Sequence, residues 1–356
     1  MRFIVIVLAA AVCGPALAQE SDEAALALAD RTSTAPAVAR ACIEYAEAAA
    51  IDTDDGMPKN GGRASFDVRC DGVLAGSWRG VLSDRFDEFW GHGMSAAGVN
   101  TLKDAYVSYR PNRSIIADIG RINLREGVAL AYNPTDYFKA NAVRSLISID
   151  PETLRDERMG TLMGRVQTLW ASGSMTGVFA PRVNARPNDS TFSPDFGATN
   201  GASRWLLAWS QRWFADLQPQ ISLTGAEGES PRAGLDVTRL LNNATVAYLE
   251  WSDGRRGNSL STGLTYTTSL KLSLTLEYEY DETGELGARQ KVFAYAHWDD
   301  VGIARLGLTT FVRFDPSNQS RVVWSEARYH WEHAGVALQW QHNSGASWVA
   351  LIDYYF

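Results

Sequence analysis

From about Ser65 onward, apolar and polar residues alternate with a period of two. In "KLSLTLEYEYD", Leu272, Leu274, Leu276, Tyr278 and Tyr280 fall on one face, and Ser273, Thr275, Glu277, Glu279 and Asp281 on the other. Successive side chains of an extended strand point to opposite sides, so this pattern predicts strands between one apolar and one polar environment. "RLGLTTFVRFD" sets Leu306, Leu308, Thr310, Val312 and Phe314 against Arg305, Thr309, Arg313 and Asp315. "RVVWSEARYHWE" sets Val323, Ala327, Tyr329 and Trp331 against Glu326, Arg328, His330 and Glu332. Turn-forming clusters such as "PNRS", "ASGS", "SDGRRGN" and "HNSGA" separate these segments. The longest connections fall around 85–100, 127–158 and 183–203. Counting segments predicts about fourteen to sixteen strands.

The chain closes on "SWVALIDYYF". Trp348, Ala350, Ile352, Tyr354 and Phe356 share one side, which holds no charge, and Val349, Leu351, Asp353 and Tyr355 share the other. A soluble sandwich buries one face of every strand between two sheets. It has no need for alternating long and short connections ending on an apolar strand. In lipid every backbone N–H and C=O must be paired within the protein, so strands that cross a membrane close into a barrel. The expected fold is therefore all-β, a transmembrane antiparallel β-barrel whose last strand pairs with its first and removes the sheet edge. The 12 Trp and 13 Tyr suit the two membrane interfaces, where one end of the side chain is apolar and the other wet.

The opening residues fix the compartment. "MRFIVIVLAAAVCGPALAQE" has Arg2, an apolar run and an "ALA" site, which predicts a signal peptide over 1–18. A lipoprotein leader ending at Cys13 is the alternative. Residues 19–62 are Ala-rich and acidic, and are read as a periplasmic extension with a helix over 35–50, or else a flexible tail. The barrel is expected over 63–356. Cys42 and Cys70 remain after the leader. An exported chain permits a disulfide between them, closing a loop of roughly 28 residues and worth on the order of 3 kcal/mol. Two independent thiols are the other possibility. No apolar run of about 20 residues follows the leader, so no spanning helix is expected. The formal net charge of -8 disfavours nucleic acid as a partner.

The alternating end with terminal Phe356 resembles the C-terminal sorting signature of Gram-negative outer-membrane proteins, which the barrel-assembly machinery reads. A second stretch, "LKDAYVSYRPNRSIIADIGRINLREGVALAYNPTDYFKANAV", resembles a segment of alginate-export-type and porin-like outer-membrane barrels. The matching positions are Ala105 and Tyr106, Gly120 and Arg121, and Asn133, Pro134, Thr135 and Asp136. The resemblance covers about a ninth of the chain and implies an outer-membrane barrel rather than any one substrate.

Within this stretch Arg121, Asn123 and Arg125 fall on one strand face. All three are expected to point into the lumen, because a lipid-facing Arg costs about 2–4 kcal/mol near the midplane. "NPTD", with Asn133, Pro134 and Asp136, is expected to turn a loop inward. Glu126 and Asp136 would then stand across from Arg121 and Arg125, either as a transverse field or as an internal ion-pair network. Glu277, Glu279, Arg313, Glu326 and Arg328 are further candidates for the pore lining or for internal struts.

An enzyme is not expected. The histidines are His92, His297, His330, His333 and His342. Ser325 and His330 fall on opposite strand faces, and no HExxH, GxSxG, P-loop or zinc spacing occurs. No metal and no cofactor is expected. The expected function is a porin-like channel in the cell outer membrane for passive passage of small polar or amphiphilic solutes. A closed barrel serving envelope assembly, or lipid or polymer export with periplasmic partners, is the alternative. Outer-membrane lipid and lipopolysaccharide are the expected surroundings.

Overall fold

The computed structural model describes residues 38–51, 58–91, 94–213, 217–343 and 345–356. The expected signal peptide and the first part of the expected extension lie outside them. The described residues form one 18-stranded antiparallel sheet closed on itself. The strands are β1 (Val38–Ile51), β2 (Pro58–Ala75), β3 (Trp78–Gly91), β4 (Met94–Asn112), β5 (Ile115–Ile122) and β6 (Thr161–Trp170). They continue with β7 (Gly173–Ala180), β8 (Arg204–Gln211), β9 (Leu217–Ala226), β10 (Arg232–Asn242), β11 (Thr245–Gly254) and β12 (Gly257–Thr267). The last six are β13 (Leu272–Asp281), β14 (Gln290–Trp298), β15 (Leu306–Asp315), β16 (Ser320–His330), β17 (Ala334–His342) and β18 (Ala346–Tyr355). Two short helices, α1 (Pro151–Asp156) and α2 (Phe196–Thr199), lie in connections. No helix among the described residues is long and apolar enough to cross a membrane; the chain crosses with strands.

Alternation of side chains sets the two faces. On β13 Leu276 is 59 % exposed on the outer wall, while Glu277 beside it is 1 % exposed inside. Along β18, Trp348, Ile352 and Tyr354 face outward, and Leu351 and Asp353 face the lumen. β18 pairs with β1 from Cys42↔Tyr355 to Ile51↔Ala346, which seals the barrel and leaves no free edge. At the end where β1 begins and β18 finishes, neighbouring strands are joined by short connections such as 76–77, 113–114 and 243–244. The two longest connections, 123–160 and 181–203, lie at the other end. They are called here the inward loop and the rim loop.

The structure corrects three expectations. The barrel has eighteen strands rather than fourteen to sixteen, in part because it begins at Val38 and not near residue 63. The segment expected to be helical over 35–50 is strand β1 from Val38 onward. Its alanines favour a helix in isolation, but β1 pairs with both β2 and β18, and a helix there would leave two open edges in hydrocarbon. The expected Cys42–Cys70 bridge is absent and both thiols are free. On the β1–β2 ladder Cys42 stands opposite Asp67, and Cys70 opposite Ala39. An offset of three positions is about 10 Å along the strand and puts the two thiols on opposite faces of the wall, far outside bonding geometry.

Candidate functional site

The inward loop leaves β5 at the rim and folds down into the barrel, where two carboxylates of the far wall receive it. Glu250 on β11 accepts from the backbone amides of Val128 (2.9 Å), Ala129 (3.0 Å) and Thr135 (2.8 Å). Glu277 on β13 accepts from the amides of Leu130 and Ala131, and from the Tyr248 hydroxyl at 2.6 Å. Convergent backbone N–H groups make an anion-binding concavity, so each carboxylate fills a nest formed by the loop. Gly127 begins this turn at φ +88°, and a Cβ there would lie 2.5 Å from Glu250 Oε1. Only glycine combines that backbone with that approach.

Apolar seats hold the same loop. Leu130, Ala131 and Ile149 pack on Phe293, Phe311 and Trp324, three aromatic residues of β14, β15 and β16 that face the lumen. Leu124 and Phe138 pack with Ile122, Met163, Val178 and Leu206 of the wall on the loop's own side. Inside the loop, Arg158 pairs with Asp136 at 2.7 Å, and Arg155 donates to the Glu126 and Ala129 carbonyls at 3.1 and 3.2 Å. Asp150 caps α1 by accepting from Thr153 N at 3.0 Å. Arg63 of β2 reaches the Ile147 carbonyl at 3.0 Å, and Lys103 of β4 bonds Glu157. The loop is thus tied to opposite sides of the barrel.

The sequence-predicted residues separate into two groups. Glu277, Glu279, Arg313, Glu326 and Arg328 lie on inward faces. Arg313 bonds Glu279 at 3.2 Å and the Ala131 carbonyl at 2.9 Å, while Arg328 bonds Glu326 at 2.8 Å and also Asp353. Asn133, Pro134 and Asp136 are buried within the inward loop. Asn133 donates to the Ala129 carbonyl.

Arg121, Asn123 and Arg125 do not form a lumen-facing row. β5 stops at Ile122, so the alternation does not extend to Asn123 or Arg125. Asn123 donates to the Arg155 carbonyl at 2.9 Å, and the more exposed Arg125 pairs with Asp156. Arg121 belongs to the outward set of β5, two positions from Ile119, which is 67 % exposed. The rim loop roofs it, and Arg121 donates to the Pro194 carbonyl, to Thr199 Oγ1 (3.3 Å) and to the Gly160 carbonyl (2.8 Å), with its guanidinium over the Phe196 ring. It avoids the cost of facing lipid by being covered at the rim, not by turning inward. Asp136 meets Arg158 instead, and Glu126 accepts from Gln220 at 3.1 Å. Burial pushes the Glu126 carboxyl up to about 6, with Asp136 adding in the same direction and the Gln220 bond opposing both.

Sequence reasoning did not single out Glu250, Asp236, Arg155 or Arg158. Glu250 was within reach: in "TVAYLEWSDG" it is the charged position between Leu249 and Trp251, which marks it as facing the lumen. The arginines of the loop carry no such periodic mark.

Inward faces near the chain termini carry a second feature. Arg69, Arg79, Arg110 and Arg165 line β2, β3, β4 and β6 there. Asp71 pairs with Arg79, and Asp118 with Arg165 at 2.7 Å. Arg69 is more loosely held, 3.9 Å from Asp71 and 4.0 Å from Asp104, with 42 % of its side chain exposed.

An apolar outer wall, a charged interior and a long loop folded into the lumen define a membrane-spanning β-barrel of the porin type. No family model and no curated protein matches the chain. Among solved structures it is similar to OccK7 (OpdD) of Pseudomonas aeruginosa, with 14 % identity, a TM-score of 0.56, and coverage of 90 % of this chain and 98 % of that one. It is also similar to OpdQ of Pseudomonas aeruginosa (11 % identity, TM-score 0.57, 89 % and 98 % covered) and to OccAB3 of Acinetobacter baumannii (10 %, 0.54, 90 % and 99 %). The likeness is one of fold, over nearly the whole length of both chains.

Proposed function

We propose that the protein is an outer-membrane channel, and not an enzyme, through which small polar or amphiphilic solutes diffuse passively. The carrying observation is the inward loop, braced to both sides of an eighteen-strand barrel by Glu250, Glu277 and Arg63. Barrels of 16–18 strands leave a lumen wide enough for water, so a pore of this size needs an internal constriction to select by size. Charge selection belongs to the terminus-side mouth, where Arg69 is 42 % exposed and held only at 3.9 Å from Asp71 and 4.0 Å from Asp104, with Arg165 beside Asp118 on the neighbouring wall. It does not belong to Arg121, which the rim loop covers. The last strand, ending on Phe356, serves as the contact for barrel assembly, and lipid with lipopolysaccharide surrounds the wall.

Planar-bilayer recording tests the reading: ohmic steps of stable size are expected. Arg69→Ala with Arg165→Ala should lower anion preference in a salt gradient, and Arg121→Ala should leave the reversal potential unchanged. The reach of the inward loop across the lumen is what favours the rival reading, a closed barrel for envelope assembly or for lipid or polymer export. A silent bilayer together with absent liposome swelling for sugars, amino acids and inorganic anions would decide for that rival.

A further inference from the structure

Thr135 Oγ1 lies 2.8 Å from Asp236 Oδ1 and 2.9 Å from Glu250 Oε1. A hydroxyl has one hydrogen to donate, and an ionised carboxylate has none. The hydroxyl therefore serves one of these contacts, and the other requires a hydrogen from the carboxyl side. Two ionised carboxylates sharing one hydroxyl would leave an acceptor facing an acceptor in a site where Thr135, Asp236 and Glu250 are 1, 2 and 0 % exposed.

Hydrogen bonding decides which carboxyl is neutral. Glu250 accepts three backbone amides besides the hydroxyl, as an anion should. Asp236 has only Gln220 Nε2 on its second oxygen, at 3.3 Å, and that same nitrogen serves Glu126 Oε2. One hydroxyl and one amide thus tie three carboxyls together, from the inward loop, β10 and β11. Among the described residues no lysine or arginine forms an ion pair with Asp236 or Glu250. The nearby cations are directed elsewhere. Arg232 of β10 lies 3.6 Å from Glu285, Lys139 donates to the Asn133 carbonyl at 2.6 Å, Arg155 bonds loop carbonyls, and Arg158 holds Asp136. Glu277 of β13 adds a further carboxyl under the same turn.

We propose that Asp236 carries a proton at neutral pH, donates it to Thr135 Oγ1, and so lets Thr135 donate to Glu250, making this single proton the catch that holds residues 128–135 against the wall. Raising the pH removes the proton to solvent and sets two charges on one hydroxyl. The seat then weakens as pH rises, the sign expected of a carboxyl that is neutral in the folded state and charged when released.

The test uses the full chain in detergent. The carboxylic-acid carbonyl stretch near neutral pH is compared by infrared difference between wild type and Asp236→Asn. Asparagine keeps the shape, donates to Thr135 and accepts from Gln220. The band should be present in wild type and missing from the variant. Hydrogen exchange at the amides of Val128, Ala129 and Thr135 is then followed from about pH 6 to about pH 10, the range in which a buried carboxyl can titrate. Wild type should lose protection relative to the variant as pH rises. An unchanged infrared band in Asp236→Asn, or equal protection of both proteins at every pH, overturns the proposal. Should the variant not fold, Glu126→Gln is titrated beside the wild type: an acid band that persists in Glu126→Gln and disappears on raising the pH supports the catch, and no acid band in that variant at neutral pH refutes it. Neither readout requires solute passage, so a barrel that never conducts would count against the channel reading and leave this one standing.

Discussion

At the residue scale the charged side chains of the lumen act first as fasteners. Glu250 and Glu277 spend their lone pairs on loop amides, and Arg155 spends its donors on loop carbonyls. Among the described residues the Arg158–Asp136 pair is the most enclosed, with side chains 4 % and 1 % exposed. Asp136→Ala leaves a buried guanidinium without its anion, at a cost of about 3–5 kcal/mol. Because the wall strands pair independently of this contact, that cost falls on the loop. Protease nicking within 123–160 should rise by about a hundredfold or more with the barrel intact, since each 1.4 kcal/mol is tenfold in an opening equilibrium. Replacing both partners, Asp136→Leu with Arg158→Met, should recover much of the loss; nicking as fast as in Asp136→Ala alone would show that the pair is not the brace. At this scale the sequence was readable where a charge alternates with apolar neighbours along a strand that faces the lumen, as with Glu277 and Glu279. It misled at Arg121, where the cost of lipid was correctly weighed but covering by a loop distant in the chain was not foreseeable from alternation.

At the scale of elements, period-two patterning located most of the strands, the stretch around 85–100 expected as a long connection belongs instead to β3 and β4, and "NPTD" located a loop that does fold inward. One element escaped, and so did the landing place of another. β1 is masked by its alanines, whose helical preference is overridden by ladder pairing on both sides. The rim loop carries no pattern that announces where it lands, and it lies over Arg121 and against β4, with Asn100 N donating to the Thr191 carbonyl at 2.9 Å. The inward loop can constrict a pore, as proposed, only while it is seated on the wall. Replacing residues 143–149 by a short Gly-Ser linker removes Ile149 from its aromatic seat and the Ile147 carbonyl from Arg63. On the proposed channel reading, in which the loop is the constriction, single-channel conductance in planar bilayers should rise at least about twofold. Conductance equal to wild type would place the constriction elsewhere.

At the scale of the whole molecule the wall separates two chemical environments, and the cysteines report on it. Cys42 shares the inner face with Glu44, and Cys70 shares the outer face with Leu82. In protein extracted under non-reducing conditions and denatured, Cys42 and Cys70 should both be alkylated as free thiols, with no mobility change on reduction. A shift on reduction would mean that β1 and β2 pair in a different register.

The β1–β18 seam carries a consequence of its own. Hoop-like closure joins two stretches separated by nearly the full length of the polypeptide, so no intermediate lacking the final ten residues can complete the ring. Until that join forms, both rims of an unfinished sheet stay adhesive to any extended strand they meet. The seam therefore closes correctly only when tail and head already lie side by side, because a strand mispaired inside the bilayer would have no water to satisfy it.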